Sequence, residues 1–268
     1  DIAESISKEQ TMIQVPVIGN SSLAQIATSI NHIRISFIHS LEEQKKSERL
    51  KYELVTNISH DLRTPLTLVL NYVELLKRDE TQKEKLYYIT QTEKNAEKLH
   101  LLINDLFELS KLESGNVELN LEDMDILLLW KQMQHEYKEQ LKQRSLELII
   151  ECKEPIIIHS CDNSKIWRVF DNLLQNANKY AMEHTRIYVD LSENKEKGQV
   201  HIGLKNIAAE RITFEPEELF LRFKRGSQAR NTEGSGLGLA IARSIILLHG
   251  GNICIETEGD MFKVLIDL

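Results

Sequence analysis

The sequence predicts a multidomain chain: an α-helical hairpin that dimerises into a four-helix bundle, followed by a domain of mixed strands and helices. Three observations carry this. Residues 41–113 are rich in Glu, Lys, Leu and Gln, with no Gly and only Pro65, which is a helical composition. That stretch holds two apolar stripes at helical spacing, separated by the polar connection LKRDETQKE, 76–84. From residue 117 onward, runs of strand length alternate with helical segments and polar turns.

The bulk composition fits a soluble globular protein. Of its 268 residues, 41% are hydrophobic and 28% charged. The formal net charge of -8 offers no general case for nucleic-acid binding, and none is expected. Cys152, Cys161 and Cys254 lie far apart and form no CxxC pair, which argues against a zinc site or a disulfide framework. No run approaches the roughly 18 apolar residues of a spanning helix, and no signal peptide is seen. The chain opens on Asp1, not Met, which suggests a piece of a longer protein whose membrane segments would lie upstream.

Residues 1–40 read as two helical stretches broken by Pro16 and Gly19. In the first hairpin helix, at about 100° per residue, Leu50, Leu54, Ile58, Leu62, Pro65, Leu66, Val69, Val73 and Leu76 share one face. Glu53, Thr56, His60, Thr64, Thr67 and Asn71 share the opposite one. The second helix repeats the stripe with Leu86, Ile89, Ala96, Leu99, Ile103 and Leu106. One hairpin buries little apolar surface alone, so pairing into a four-helix bundle is expected. ESGN, 113–116, is a break. A strand-like VELNLEDMDI, 117–126, a helix over 127–143 and the strand LELIIEC follow. Then come IIIHS, the helix KIWRVFDNLLQNANKYA, TRIYVDLSE, the turn NKEKG, QVHIGLKNI, a Gly-rich loop, a helix and two last strands.

NISHDLRTPL, 57–66, is the first stretch that carries chemistry. His60 stands in a polar stripe. Asp61 can accept the Nδ1 proton, leaving Nε2 as a nucleophile. Thr64, at i+4, lies on the same face, where a hydroxyl could orient a water. Pro65 has no N–H and clashes with the carbonyl of residue 61, so a bend is expected just after the histidine. The bland alternative is an ordinary surface histidine.

SHDLRTPL resembles the phospho-acceptor box of bacterial sensor histidine kinases, and the resemblance covers nearly the whole chain. It implies a dimerisation and histidine-phosphotransfer domain at 43–115 and a catalytic ATP-binding domain at 117–268. The latter would be an α/β two-layer sandwich of the GHKL or Bergerat type. It implies that His60 takes the γ-phosphoryl group of ATP and passes it to an aspartate of a response regulator, that Asp61 is its acid/base partner, and that Thr64 positions water when the regulator is dephosphorylated. The partners implied are a second copy of the chain and a cognate regulator.

The ATP side appears downstream. DNLLQNANKY, 171–180, resembles the family's N box, with Asn172, Asn176, Lys179 and Tyr180 on one helix face. The oxygen of Asn176 suits Mg²⁺, and Lys179 offers a point charge to phosphate. The bland alternative is an amphipathic helix with polar residues in solvent. GSGLGLAIARSIILLHGG, 234–251, resembles the G2 box: Gly234, Gly236 and Gly238, flanking Leu237, let backbone N–H groups approach phosphate at a helix N-terminus. A Rossmann turn is the competing reading, but no strand runs directly into this loop. By resemblance 226–234 forms a lid, Phe220 and Phe223 match the F box, and Arg225 reaches the γ-phosphate. Core packing is the simpler role for the two phenylalanines.

One box departs from the family. Where relatives carry DxGxG, with the Asp accepting from the adenine amino group, this chain has Asn206-Ile207-Ala208-Ala209-Glu210. Asn206 keeps a carbonyl acceptor without the charge, and the loop cannot readily take a φ > 0 turn. Altered ATP geometry at lower affinity, a bias toward phosphatase action, and loss of nucleotide binding are the three consequences open; the first is favoured, because the N box, Arg225 and the G2 loop all remain. At the other end, VPVIGNSSLAQIATSINHI, 15–33, resembles the end of a HAMP linker, so 1–42 would be a partial linker. Ser21-Ser22 replaces its usual Asp-Glu pair, and Leu23, Ile26, Ile30 and Ile33 are expected to pack. The chain is then expected to be the cytoplasmic portion of a membrane protein, with ATP and Mg²⁺ as cofactors. A GHKL-type ATPase and a nucleotide-silent adaptor are the competing functions.

Overall fold

The computed structural model describes residues 15–16, 22–78, 81–114, 117–194, 198–212, 219–220 and 236–268. The chain divides into two compact units, 1–57 and 58–268. Among the described residues, no helix is long and apolar enough to cross a membrane. The first expected helical stretch, upstream of Pro16, lies outside the described residues.

Helix α1 runs Ser22–Leu76 and passes through Pro65. In the first unit, the Asn31 amide reads both backbone groups of Val15. The Val15 N–H donates to Asn31 Oδ1 at 3.0 Å, and Asn31 Nδ2 donates to the Val15 carbonyl at 2.8 Å. Asn31 and Ala27 are buried by this return of the chain, whereas Ile26, Ile30 and Ile33 are exposed. The expected packing of those isoleucines is thus not found in the single chain: the helix turns its Ala27–Asn31 side, not its isoleucines, toward the preceding segment.

In the second unit, α2 spans Gln82–Glu113. Thr81 caps it through a capping box with Glu84, which fixes where the polar connection ends. Tyr72 of α1 stacks on Tyr88 at 6.0 Å and meets Tyr87 edge-on at 6.3 Å, tying the two helices near their turn. Parts of the hairpin's apolar stripes stay exposed in one chain, namely Leu66, Val73, Leu86, Ile89 and Ile103, whereas Leu62, Val69, Leu99 and Leu106 are half-buried; the side chains of Leu50, Leu54 and Ile58 lie outside the described residues.

The remainder is the α/β two-layer sandwich expected. Strand β1 is Glu122–Asp125 and α3 is Ile126–Gln143. The expected strand at 117–126 shrinks to four residues: it starts only where it meets β3, at Glu122↔Cys161, and ends where Asp125 caps α3 through a bond from the Leu127 N–H at 3.0 Å. Strands β2 (Glu147–Cys152) and β3 (Ile158–Cys161) precede α4 (Asn163–Tyr180), which starts two residues earlier than the periodicity suggests. Strands β4 (Arg186–Asn194) and β5 (Gln199–Ile207) follow. Helix α5 (Gly238–Leu248), β6 (Asn252–Glu258) and β7 (Met261–Asp267) close the domain.

The main sheet has order β2-β4-β5-β7-β6, with β2 parallel to β4 and the other pairs antiparallel; β1 and β3 form a separate antiparallel pair. Alternate strand residues, such as Ile187, Val189, Ile202, Leu204, Val264 and Ile266, are buried, so one face of the sheet carries the helices. Trp130 of α3 stacks on Phe170 of α4 at 4.3 Å in the centre of the core. Leu109 and Leu112 of α2 join the same core. Around that junction Arg168 of α4 pairs with Asp105 and with Glu108 of α2 (3.2 Å to the latter), and Lys165 reaches Glu108 at 3.3 Å.

Candidate functional site

His60 projects from α1 with its side chain 78% exposed. Its Nδ1 lies 3.3 Å from Asp61 Oδ1. In the tautomer protonated at Nδ1 the ring donates to Asp61, and the Nε2 lone pair faces outward. The Thr64 hydroxyl donates to the His60 carbonyl at 3.2 Å, so in this conformation it is bound to the helix backbone one turn back. Pro65 is buried, and its missing N–H removes the helical donor of the Asp61 carbonyl beside the histidine.

The second group of residues gathers around α4. Its N-terminus is fixed by Asp162, whose carboxylate accepts from the Lys165 N–H (3.1 Å), the Ser164 hydroxyl (2.7 Å) and the Asn120 N–H (3.1 Å). Burial works to raise the Asp162 carboxyl, but these bonds, helped by nearby His249, outweigh it and hold the group below its ordinary range. About two and a half turns further along, Asp171 accepts from the Tyr137 hydroxyl at 2.5 Å and from Arg168 at 3.3 Å. Burial first, then this bond, push the Tyr137 phenol far above its usual range, so it stays a donor.

Along the next two turns lie the N-box residues. Asn172 is buried, and its Nδ2 has no hydrogen-bond partner among the described residues. Its Oδ1 faces Gly238: a Cβ built there would stand 3.1 Å from it. The N box and the start of α5 are therefore in contact. Asn176 and Lys179 are half-buried and Tyr180 is exposed; the Lys179 ammonium sits over the Tyr180 ring, 4.7 Å from its centre. Gly236 has φ +72°, a left-handed conformation that suits glycine, and Leu237 is buried at the entry to α5. Phe220 is buried in the core, with the Arg243 guanidinium over its ring. Phe223, Arg225 and Gly234 lie outside the described residues.

Asn206 occupies the end of β5, opposite Ile187 and Phe262, and is only 3% exposed. The segment after it is bound to the end of α4: the Ala209 N–H donates to the Tyr180 carbonyl at 2.9 Å, and the Met182 N–H to the Ile207 carbonyl at 2.8 Å. The Ala208 N–H donates to the Asp260 carbonyl at 2.8 Å. Neither Ala208 nor Glu210 has a positive φ. The segment thus replaces the glycine turn with ordinary backbone pinned on two sides.

Sequence reasoning missed the residues that hold these elements in place. Arg144, Tyr137 and Asp260 act on α4 or on the 206–210 segment from distant positions, and no local pattern marks them.

The structure sets an exposed histidine–aspartate pair on a long helix and an α/β sandwich in one chain, and the comparisons with known proteins name the family. Residues 50–115 match the model of the His Kinase A (phospho-acceptor) domain. Residues 161–268 match that of the histidine kinase-, DNA gyrase B- and HSP90-like ATPases. The sensor protein VanSC of Enterococcus gallinarum is 32% identical over 269 aligned residues, which cover 96% of this chain and 72% of that protein. The sensor histidine kinase WalK of Bacillus subtilis is 31% identical over 223 residues, 82% of this chain and 36% of that protein. WalK of Staphylococcus aureus is 30% identical over 239 residues, 87% of this chain and 57% of that protein. Among solved structures, histidine kinase ThkA in complex with the response regulator protein TrrA gives a TM-score of 0.65 at 23% identity, covering 86% of this chain and 65% of that one. Acinetobacter baumannii histidine kinase AdeS gives 0.57 at 20%, covering 78% and 96%. The chain belongs to the sensor histidine kinases, the ATP-dependent protein-histidine kinases of two-component systems.

Proposed function

We propose that this chain autophosphorylates His60 from MgATP and passes the phosphoryl group to an aspartate of a response regulator, and that it also dephosphorylates that regulator. The observation that carries this is the His60–Asp61 pair: an exposed imidazole whose Nδ1 is met by a carboxylate, with Nε2 open to an incoming phosphorus. The Nε2 lone pair attacks the γ-phosphorus, the bond to the β–γ bridging oxygen breaks, and ADP leaves. Asp61 stabilises the positive charge that the ring acquires. The rest is positioning and charge neutralisation.

The chain's own residues fit the nucleotide. The buried, unpartnered Asn172 Nδ2 is a donor suited to a phosphate oxygen. Lys179 adds a cation, and Asn206 offers an acceptor for a base amino group. Gly236, Leu237 and Gly238 bring backbone N–H groups to the start of α5, joined in the family pattern by Gly234 and Arg225. Mg²⁺, held through the Asn176 oxygen, would neutralise charge on the β- and γ-phosphates. Tyr180 closes the polar face of α4. Thr64, once turned from the His60 carbonyl, orients water for dephosphorylation.

The exposed stripes on α1 and α2 suit a homodimer, with domains at 1–42, 43–115 and 117–268 in the roles the sequence gives them. Incubation with MgATP labelled at the γ-phosphate tests the reading: acid-labile, base-stable label is expected on the wild-type chain and absent from His60→Gln. Persistent label in that variant would sink it.

One observation favours a second reading. Asn206 stands where the family carries an acid, and its segment has no glycine. A nucleotide-silent member would give no thermal shift with MgATP or MgADP, whereas a binding chain is stabilised by mass action; a phosphatase-biased member would bind nucleotide, label poorly and speed the decay of a phosphorylated regulator.

A further inference from the structure

Helix α4 carries the N-box residues, and its last turn has carbonyls that the helix itself cannot satisfy. Two sources supply them. The 206–210 segment gives the Ala209 N–H to the Tyr180 carbonyl. Arg144, at the end of α3, supplies more: its guanidinium donates to the Asn178 carbonyl and, at the C-cap, to the Ala181 carbonyl at 3.0 Å, and meets the Glu183 carboxylate at 3.4 Å. Asn178 and Ala181 bracket Lys179 and Tyr180, so the fork grips the turn that presents them.

The aim of that fork is set locally. Helix α3 ends with bonds from the Arg144 and Ser145 N–H groups to the carbonyls of Leu141 and Lys142, at 3.1 and 3.0 Å, and from the Leu146 N–H to Leu141 at 2.9 Å. Ser145 has φ +54°. This is a Schellman-type stop with a left-handed residue just past the helix, and it turns the chain so that Arg144 faces α4. The Arg144 carbonyl in turn accepts from the His184 N–H at 3.5 Å, on the stretch leading from α4 to β4.

We propose that Arg144 is a positioning residue for nucleotide binding: its planar fork holds the last turn of α4, and through it the 206–210 segment, in register with the nucleotide. A guanidinium can serve two carbonyls at once, a lysine ammonium only as a point. Without it the last turn frays, and Lys179, Tyr180 and the partner of Ala209 lose their fixed places. This rests on the reading of α4 and 206–210 as the ATP site.

The test uses the full chain and compares Arg144→Ala, Arg144→Lys and Arg186→Ala, the last removing an exposed arginine from β4 as a baseline. Binding of a fluorescent trinitrophenyl-ATP and initial rates of autophosphorylation against MgATP are read for each. Arg144→Ala is expected to raise Kd and KM about tenfold with kcat changed less than threefold. Arg144→Lys should fall between it and wild type, and millimolar guanidinium should restore affinity to Arg144→Ala. Arg186→Ala should bind as wild type does. A KM within twofold of wild type in Arg144→Ala overturns the proposal, as does a defect that guanidinium leaves untouched. If Arg144→Ala does not fold, Arg144→Lys decides: a raised KM supports the fork, an unchanged one overturns it. A wild-type chain that binds no nucleotide would bring down the ATP reading itself, and this inference with it.

Discussion

Gly238 lies against Asn172. A Cβ at Gly238 would come within 3.1 Å of Asn172 Oδ1, so the first residue of α5 and the buried asparagine of α4 share one small space. Gly238→Ala must push the Asn172 amide aside, and the group displaced is the one proposed to donate to phosphate. We expect about a tenfold loss of trinitrophenyl-ATP affinity, near 1.4 kcal/mol, with a Tm within a few degrees of wild type. Unchanged affinity would show that Asn172 does not contact the nucleotide.

Gly251 provides the structural counterpart. A Cβ there would meet the Asp267 carbonyl at 2.4 Å, an overlap with backbone that no rotamer relieves. Gly251→Ala should cost about 1–3 kcal/mol of stability, read as a fall in the urea midpoint. Once folded, the variant should bind nucleotide normally.

Asp61→Asn keeps the shape of the His60 partner and removes its charge. The expected outcome is a fall of about 100-fold in autophosphorylation rate, the low end for a positioned acid–base group, with trinitrophenyl-ATP affinity unchanged. Equal rates in the two proteins would leave Asp61 without its proposed role.

Asp162 makes the acid limb of stability predictable. Its folded carboxyl is held below the unfolded value, so its contribution is complete above about pH 4 and disappears as the pH falls through the lowered folded value. Asp162→Ala should destabilise the chain at neutral pH by about 1 kcal/mol, the usual loss for an N-cap. The gap from wild type should narrow below pH 4. Thermal melts across pH 2–7 check this; a gap that widens in acid would contradict the assignment.

Ser145 pays a conformational penalty at φ +54° that glycine would not. Ser145→Gly should therefore raise stability by about 0.5–1 kcal/mol and leave nucleotide affinity intact, since the direction of Arg144 is kept. Differential scanning calorimetry reads the gain; a fall in Tm would mean that the hydroxyl matters more than the backbone.

The elements were largely legible in the sequence because each has one clear period or one clear punctuation mark. QVHIGLKNI alternates cleanly and forms β5 over the same nine residues. The polar face of α4 was visible from the spacing of Asn172, Asn176, Lys179 and Tyr180. His60 and Asp61 are adjacent in sequence, so their pairing could be anticipated. Arg144 on Asn178 and Ala181, and Arg168 on Asp105 and Glu108, join residues dozens of positions apart, and composition carries no trace of them. Residues 117–121 misled because Leu119 and Leu121 alternate like a strand, yet β1 reaches only as far as its partner β3. The isoleucines at 26, 30 and 33 misled for another reason: a periodic stripe says that a face is apolar, not what covers it.

The glycine-free segment at 206–210 has one more consequence. Alanine at 208 and glutamate at 210 sit in backbone conformations open to any residue, so they carry no penalty in the native state. In the unfolded chain each has far fewer conformations than glycine. A Gly→Ala exchange at a compatible site adds about 0.4–1 kcal/mol by that route. A loop that departs from its family's sequence is therefore also an entropic brace, one whose contribution resides in the denatured ensemble and in no contact of the folded protein.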